Sequence, residues 1–140
     1  MPDTQVIHAS CVSVGGRGLL ITGASGRGKS TLALQLMSMG ADLVADDRTV
    51  LRADQGLWAS VPASLAGLIE ARGVGLLTAD HVPQTRIALV VDLDQDETDR
   101  LPPARQITLL GQNAPLLLRV QGPHFAPALM QILKHGRRSP

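Results

Sequence analysis

The segment that most constrains the fold is GASGRGKS, residues 23–30, which lies between the apolar run LLIT and the segment TLALQLM. The run before it has the composition of a buried strand, and the segment after it that of a mostly buried helix. Glycines in such a bend leave backbone N–H groups accessible, because no Cβ atom blocks the approach of a ligand. The pattern therefore predicts an α/β fold with an anion-binding bend between a strand and a helix.

The spacing of this segment matches the phosphate-loop pattern G-x-x-x-x-G-K-[ST]. The N–H groups of the loop and the N-terminal end of the helix attract phosphate oxygens. Lys29 can reach the outer phosphates of a nucleotide, and the Ser30 hydroxyl can ligate Mg²⁺, which prefers oxygen ligands. We predict that nucleotide phosphates are held by Gly23, Ala24, Ser25, Gly26, Arg27, Gly28, Lys29, Ser30 and Thr31.

The composition of the chain excludes several classes of function. Its 140 residues suit one domain, and 44% apolar against 18% charged residues indicate a folded protein. A net charge of +1, with one Phe, one Trp and no Tyr, argues against binding to nucleic acid. No apolar run approaches the ~18 residues of a membrane span, and the start lacks the pattern of a signal peptide. We expect a single domain over residues 1–140, in the cytoplasm, with no membrane or nucleic-acid partner.

The remaining pattern predicts strands and two helices. Residues 5–14 and 19–22 are expected to pair as a hairpin across the glycine turn at 15–18. A helix is expected over 29–39, with Gly40 as its stop, and a second one within 124–136. The stretch 64–70 suits a short helix or a loop equally well. Further strands are expected at 41–47, 48–53, 57–61, 74–77, 85–93, 105–110 and 114–120.

Two adjacent acids, Asp46 and Asp47, end the strand that follows the loop helix. In an α/β sheet, ligands bind at the carboxyl ends of the strands. An acid there can hold Mg²⁺ through water or accept a proton from an attacking hydroxyl. Adjacent side chains of an extended chain point in opposite directions, so one acid can face the nucleotide while the other orients the metal or the loop. A polar turn after the strand would explain the same pair without any function.

Two further features allow both a structural and a functional interpretation. His8 shares one face of its expected strand with Val6 and Ser10, where a single histidine serves structure more often than catalysis. The segment EARGVG places Glu70 and Arg72 beside two glycines. A loop of a functional site has this composition, and so does a turn with a surface ion pair.

Together these pieces resemble the HPr kinase/phosphorylase family, bacterial enzymes that phosphorylate a serine of the phosphocarrier protein HPr. The resemblance rests on His8, on the segments GASGRGKSTLAL, LVADDRTVL and LIEARGVGLL, and on the later DRL at 99–101. The spacing from the histidine to the loop and from the loop to the acid pair also agrees, and the resemblance covers residues 5–101 well. It implies a P-loop kinase core, in which a mixed, twisted β-sheet is flanked by helices.

The resemblance also implies a mechanism, with ATP and Mg²⁺ as cofactors and an HPr-like phosphocarrier as the partner. Asp47 would be the base that takes the proton from the acceptor serine, and Lys29 would act on the charge of the transferring group. His8 and Arg100 would contact phosphate or orient Asp47. The catalytic set implied is Asp47, His8, Lys29 and Arg100, and the magnesium set is Ser30, Glu70 and Asp46.

Two departures from the family pattern limit what the resemblance implies. Longer members carry an additional N-terminal domain, so this sequence resembles the short forms found in alphaproteobacteria. The C-terminal segment R-P-G-R-N, linked to the phosphorylase direction, is replaced by RVQGPHFAP, which keeps only Arg119. The phosphorylase activity therefore has no support from this segment. Full-length relatives form hexamers, so a homo-oligomer is one possible state.

Two other functions remain open at the level of sequence. A small-molecule P-loop kinase would use the same core to phosphorylate a metabolite. A nucleotide-sensing regulator would bind ATP tightly without transferring phosphate. The presence of both Asp47 and Glu70 argues against the regulator, because a sensor needs no catalytic base.

Overall fold

The structure is a computed structural model that describes residues 3–138. Helices occupy Lys29–Ser38 (α1) and Phe125–His135 (α2), and Ala63–Leu65 form one 3₁₀ turn. The strands are β1 Thr4–Ile7, β2 Ala9–Val14, β3 Arg17–Thr22, β4 Asp42–Ala45, β5 Thr49–Ala53, β6 Leu57–Ser60, β7 Leu68–Ala71, β8 Gly75–Thr78, β9 Gln84–Asp96, β10 Gln106–Leu109 and β11 Gln112–Arg119.

Nine of these strands form one mixed sheet, with the order β1-β5-β6-β9-β3-β2-β4 along its main path. The long strand β9 pairs in parallel with β3 on one side. Its other side pairs with antiparallel β6 over the first residues and with parallel β11 farther on. Strand β4 is antiparallel to β2, which is itself antiparallel to β3. Strands β3, β4, β9 and β11 therefore run in the same direction and end at the same edge of the sheet.

Alternation along the central strands divides the core into two clusters, one on each face of the sheet. Val12, Leu19 and Ile21 pack with the buried faces of α1 and α2. Their neighbours Cys11 and Leu20 point to the opposite face and pack against residues of β5 and β6. Both helices thus share one face, and the strands β1, β5 and β6 curl over the other.

The predicted α/β architecture, with a mixed sheet and helices, is confirmed, and most predicted elements lie where expected. The single strand expected over 5–14 was wrong in one respect, because the chain bends at His8. The part before the bend pairs with β5, whereas the part after it pairs with β3 and β4. The stretch left open at 64–70 contains the end of the 3₁₀ turn and strand β7, which forms a separate hairpin with β8.

Neither helix in the described part of the chain is long and apolar enough to cross a membrane.

An ion pair fixes the segment that follows β9. Arg105 Nε and Nη2 donate to the two carboxylate oxygens of Glu97 at 3.1 and 3.0 Å, and the Glu97 side chain is only 4% exposed. The Glu97 N–H donates to Arg119 O at the end of β11. The Arg105 guanidinium holds the pKa of Glu97 below its ordinary range. The ion pair therefore joins the residue after β9 to the residue before β10, and the backbone hydrogen bond joins it to the end of β11.

We predict that Glu97→Gln is less stable than the wild type at pH 7 and that this difference shrinks in acid. Because the pKa of Glu97 is lower in the folded state, the pair stabilises above the unfolded pKa of about 4.3, and this contribution is lost as the pH falls through the folded value. Urea unfolding at pH 7, 5 and 3.5 measures the difference. The control is Asp54→Asn, which breaks the exposed pair with Arg52 and should have little effect at any pH. A difference for Glu97→Gln that does not change with pH would contradict this account.

Candidate active site

The functional residues gather at the edge where the parallel strands end. Strand β3 leads there into the glycine loop, β4 into the acid pair, and β2 begins there beside His8. This placement follows from chain direction alone, because strands that run the same way end together. The cavity at this edge has a volume of about 350 Å³. It is lined by His8, Ser25, Gly26, Gly28, Lys29, Ser30, Thr31, Leu34, Asp46, Asp47, Glu70, Ala71 and Arg72.

The glycine loop has the backbone conformation that only glycines adopt readily. Gly23, Gly26 and Gly28 have φ values of 147°, 84° and 95°, in the region that disfavours residues with a Cβ atom. Gly28 caps helix α1 without a side-chain hydrogen bond, and the first turn of the helix has no acid. The first N–H groups of the helix therefore have no side-chain acceptor, which suits the binding of an anion.

Lys29 lies inside the loop rather than on its surface. Its side chain is buried, with 7% of the residue exposed, and Nζ donates to Gly23 O at 2.6 Å and to Ala24 O at 3.1 Å. Within residues 3–138 it forms no ion pair with a carboxylate. The loop therefore presents at the cavity a positive charge that no carboxylate of the described residues pairs with directly.

Asp94 anchors the loop to the end of β9, and the sequence analysis did not identify it. Its two carboxylate oxygens accept from the Ala24 N–H at 3.0 and 3.2 Å, and Arg27 Nε lies 3.4 Å from Oδ1. The strand expected over 85–93 ended one residue before Asp94, and no role was predicted for this acid. One signal in the sequence could have identified Asp94. It is an acid at the end of a buried strand, and that strand runs parallel to the strand before the glycine loop, so both strands end at the same edge.

The carboxylate of Asp46 connects three elements around the cavity. Oδ1 accepts from Ser30 Oγ at 2.6 Å and from Ser10 Oγ at 2.8 Å, while Oδ2 accepts from the Glu70 N–H at 3.1 Å. Asp46 is 7% exposed and has no cationic partner among residues 3–138. Ser10 is a further residue that sequence reasoning missed, because a serine on a buried strand carries no distinctive pattern.

Asp47 has a different partner from Asp46, namely the imidazole of His8. His8 Nε2 lies 3.1 Å from Asp47 Oδ1, with the two side chains 51% and 62% exposed, and Ser25 Oγ lies 3.5 Å from the same nitrogen. The extended chain that was expected here is absent, because the two acids lie at a turn and have different partners. Asp47 has a φ of 68°, and the Arg48 N–H donates to Asp46 O at 2.7 Å across it. Such strain is typical of functional sites.

The structure brings together most of the predicted site residues, with differences at Glu70 and Arg100. Glu70 lines the cavity, but its side chain is exposed and only its N–H contacts Asp46. Arg100 is exposed in the segment after β9 and is absent from the cavity lining. Within residues 3–138 no three His, Cys, Asp or Glu side chains form a cluster able to hold a metal ion. Of the three predicted magnesium ligands, Ser30 and Asp46 have side chains in contact with each other, and the Glu70 side chain does not join them.

Comparison with known proteins identifies related sequences. The family model described as HPr Serine kinase C-terminal domain matches residues 1–111. The HPr kinase/phosphorylase of Geobacillus thermodenitrificans is 39% identical in an alignment over 114 residues, and the match covers 72% of this chain and 37% of that protein. That of Bordetella pertussis is 41% identical in an alignment over 115 residues, and the match covers 73% of this chain and 37% of that protein. The chain thus spans 37% of the length of these curated relatives.

A solved structure shows the same fold. The Hpr(Ser) kinase/phosphatase from Coxiella burnetii superposes with a TM-score of 0.77 at 30% identity. The match covers 93% of this chain and 88% of the other. The family resemblance found in the sequence is therefore confirmed.

The positive φ of Asp47 leads to a prediction about stability. We expect Asp47→Gly to be more stable than Asp47→Ala by about 1 kcal/mol, because a Cβ atom disfavours this conformation and glycine does not. Both variants lose the carboxylate, so the difference isolates the backbone. Thermal unfolding followed by circular dichroism measures it. At Asp99, an exposed acid without a positive φ, glycine should give no gain over alanine. Equal stabilities of the two Asp47 variants would show that the turn is not strained.

Proposed function

Since the chain belongs to the HPr serine kinase C-terminal domain family, we propose that it is an ATP-dependent protein-serine kinase acting on an HPr-like phosphocarrier. One observation carries this proposal: the glycine loop and the exposed carboxylate of Asp47 face the same cavity. A phosphate donor held by the loop and a hydroxyl acceptor beside Asp47 would therefore meet there. Family membership favours this activity over a small-molecule kinase or a nucleotide sensor.

The loop would bind the phosphates of ATP through its backbone and through Lys29. The helix start has no side-chain cap, so its N–H groups are available to phosphate oxygens. Lys29 now donates to two carbonyls of its own loop, and it would direct its charge to the transferring phosphoryl group. Positioning and neutralisation of charge account for most of the rate in phosphoryl transfer.

Ser30 and Asp46 are the residues that would hold Mg²⁺, and the structure allows a test of their fit. Both supply hard oxygen atoms, which Mg²⁺ prefers, and they already contact each other at 2.6 Å. Asp46 is also a buried carboxylate with no cationic partner among residues 3–138, an arrangement that is unfavourable without a cation nearby. When bound, Mg²⁺ would neutralise charge on the phosphates. Glu70, at the rim of the cavity, would contribute only after its side chain turned inwards.

Asp47 would act as the general base, and His8 would position it. The acceptor serine hydroxyl would give its proton to Asp47 while its oxygen bonds to the γ-phosphorus and the bond to the β-phosphate oxygen breaks. His8 Nε2, at 3.1 Å from Asp47 Oδ1, restricts the orientation of that carboxylate. Because more than half of the Asp47 side chain is exposed, a serine on another protein can reach it. Arg100 has no role in this proposal, since it does not line the cavity.

The expected compartment and partners of the protein follow from the proposed reaction. ATP and a phosphocarrier substrate imply a cytoplasmic protein that needs neither a membrane nor nucleic acid. We treat residues 3–138 as one catalytic unit, because the sheet and both helices contribute to the two core clusters. The proposed mechanism requires neither the phosphorylase direction nor a homo-oligomer.

We predict that Asp47→Asn lowers phosphoserine formation at least 100-fold, because removal of a general base costs about 10² to 10⁴ in rate. The affinity for ATP should change less than threefold, since the amide keeps the size of the side chain. The assay incubates the protein with ATP, Mg²⁺ and an HPr-like phosphocarrier and detects phosphoserine by mass spectrometry, with calorimetry for ATP binding. Asp80→Asn, at an exposed position outside the cavity, is the matched control.

Three results would overturn the proposal in different ways. Phosphoserine formation that survives Asp47→Asn would remove Asp47 from the role of base. Transfer to a metabolite and not to the protein would indicate a small-molecule kinase. ATP binding without transfer to any acceptor would indicate a sensor.

We also predict that Ser30→Ala raises the Mg²⁺ concentration needed for half-maximal phosphorylation about tenfold, the scale seen when a metal site loses one supporting group. Ser30→Thr keeps a hydroxyl at this position and should retain most of the wild-type Mg²⁺ dependence. A Mg²⁺ titration of the phosphocarrier assay, at saturating ATP, compares the three proteins. If alanine and threonine behave alike, the hydroxyl does not hold the metal.

A further inference from the structure

A second cavity lies on the other side of the start of helix α1. Its volume is about 260 Å³, and it shares Gly28 and Thr31 with the first cavity. A ligand that passes over these two residues would therefore occupy both spaces. The second cavity extends from the glycine loop to the segment after β11, where Arg119, Gln121 and Pro123 form part of its wall.

The linings of the two cavities differ in charge. The first contains the carboxylates of Asp46, Asp47 and Glu70. The second contains no acid among its lining residues and has two arginines, Arg27 and Arg119. Its other polar side chains include Gln35 and Gln121, and its floor is apolar, with Leu32, Leu93 and Phe125 buried. Apolar walls with a few placed polar groups are typical of small-molecule sites.

The position of Arg119 results from the geometry of β11. This strand runs parallel to β9, and its pairing shifts register between Leu118 and Arg119. Such irregularities redirect the side chain that follows, and Arg119 lines the cavity at the edge where the parallel strands end. The Glu97 N–H holds Arg119 O at 2.8 Å, which fixes the backbone there. Arg119 has no carboxylate partner among residues 3–138, so its guanidinium is available to a ligand.

We propose that the second cavity binds the nucleoside of the nucleotide, and that Arg119 provides the surface on which the base stacks. This inference rests on the proposed function, because it needs phosphates in the glycine loop. The acid-lined cavity would hold the transferring phosphate and the acceptor, which leaves the acid-free cavity for the base and ribose. A guanidinium is planar and stacks on aromatic rings, and glutamine amides can hydrogen-bond to base edges.

The distribution of aromatic residues supports the role of Arg119. The chain has one Phe, one Trp and no Tyr. Phe125 is buried in the floor of the cavity, and Trp58 stacks with Arg52, with 5.6 Å between the guanidinium carbon and the ring centroid. Trp58 does not line either cavity. Of the two guanidinium groups that line the second cavity, that of Arg27 lies 3.4 Å from the Asp94 carboxylate, whereas Arg119 has no carboxylate partner among residues 3–138 and can stack on a base.

The test compares ATP with inorganic tripolyphosphate, which has the phosphates and lacks the nucleoside. Isothermal titration calorimetry with Mg²⁺ gives the dissociation constants for the wild type and for Arg119→Ala. We expect the constant for ATP to rise about tenfold, as for the loss of a stacking contact to a base, while that for tripolyphosphate changes less than twofold. Arg17→Ala is the matched control, because Arg17 is an exposed arginine at the far end of β3.

An equal loss for both ligands would overturn the proposal, since Arg119 would then contact phosphate. No loss for either ligand would also overturn it. The methyl resonances of Val120, which lines the cavity, provide a test on the wild-type chain that does not depend on the folding of the variant. They should shift with ATP and not with tripolyphosphate, and the reverse result contradicts the proposal.

The calorimetry also separates this inference from the proposed function. A wild-type protein that binds neither ligand would end both proposals. Normal ATP selectivity without any transfer to a phosphocarrier would end only the kinase assignment.

Discussion

The buried carboxylate of Asp46 is the interaction on which the rest of the site depends. It accepts hydrogen bonds from Ser10 on β2, from Ser30 on α1 and from the backbone of Glu70 on β7. A buried charge is unfavourable unless it is both hydrogen-bonded and paired, and loss of any of these hydrogen bonds would make it worse, so these elements must keep their relative positions. The same carboxylate therefore holds the glycine-loop helix against the sheet and brings the β7–β8 hairpin to the rim of the cavity.

The direction of the strands determines which residues can reach this carboxylate. Strands β3, β4, β9 and β11 all end at one edge, so the segments that follow them are neighbours despite their distance in sequence. Asp94 illustrates the consequence, because it anchors Ala24 from a position 70 residues farther along the chain. Antiparallel β2 begins at this edge and contributes His8. The opposite face of the sheet, covered by β5 and β6, provides packing.

The sequence predicted the features that local chemistry determines. The glycine spacing defined the loop, the acid pair marked the end of β4, and apolar composition with glycine stops located both helices. Residues that act through tertiary contacts were not predictable in this way. Ser10 and Asp94 have no distinctive neighbours in sequence, and their roles depend on strands that pair across the sheet. Arg100 was placed in the site by resemblance alone, and the structure leaves it exposed outside the cavity.

Three departures from ordinary folding rules lie together at this edge of the sheet. Helix α1 begins without a side-chain cap, Lys29 is buried against carbonyls, and Asp47 has a positive φ. Each of these features costs stability in the isolated chain; the backbone strain alone costs about 1 to 3 kcal/mol. Phosphate oxygens would satisfy the helix start and Lys29 at once, and a cation would compensate Asp46. Proteins tolerate such local conflicts mainly at functional sites, so the clustering of these features is itself an argument for a bound nucleotide.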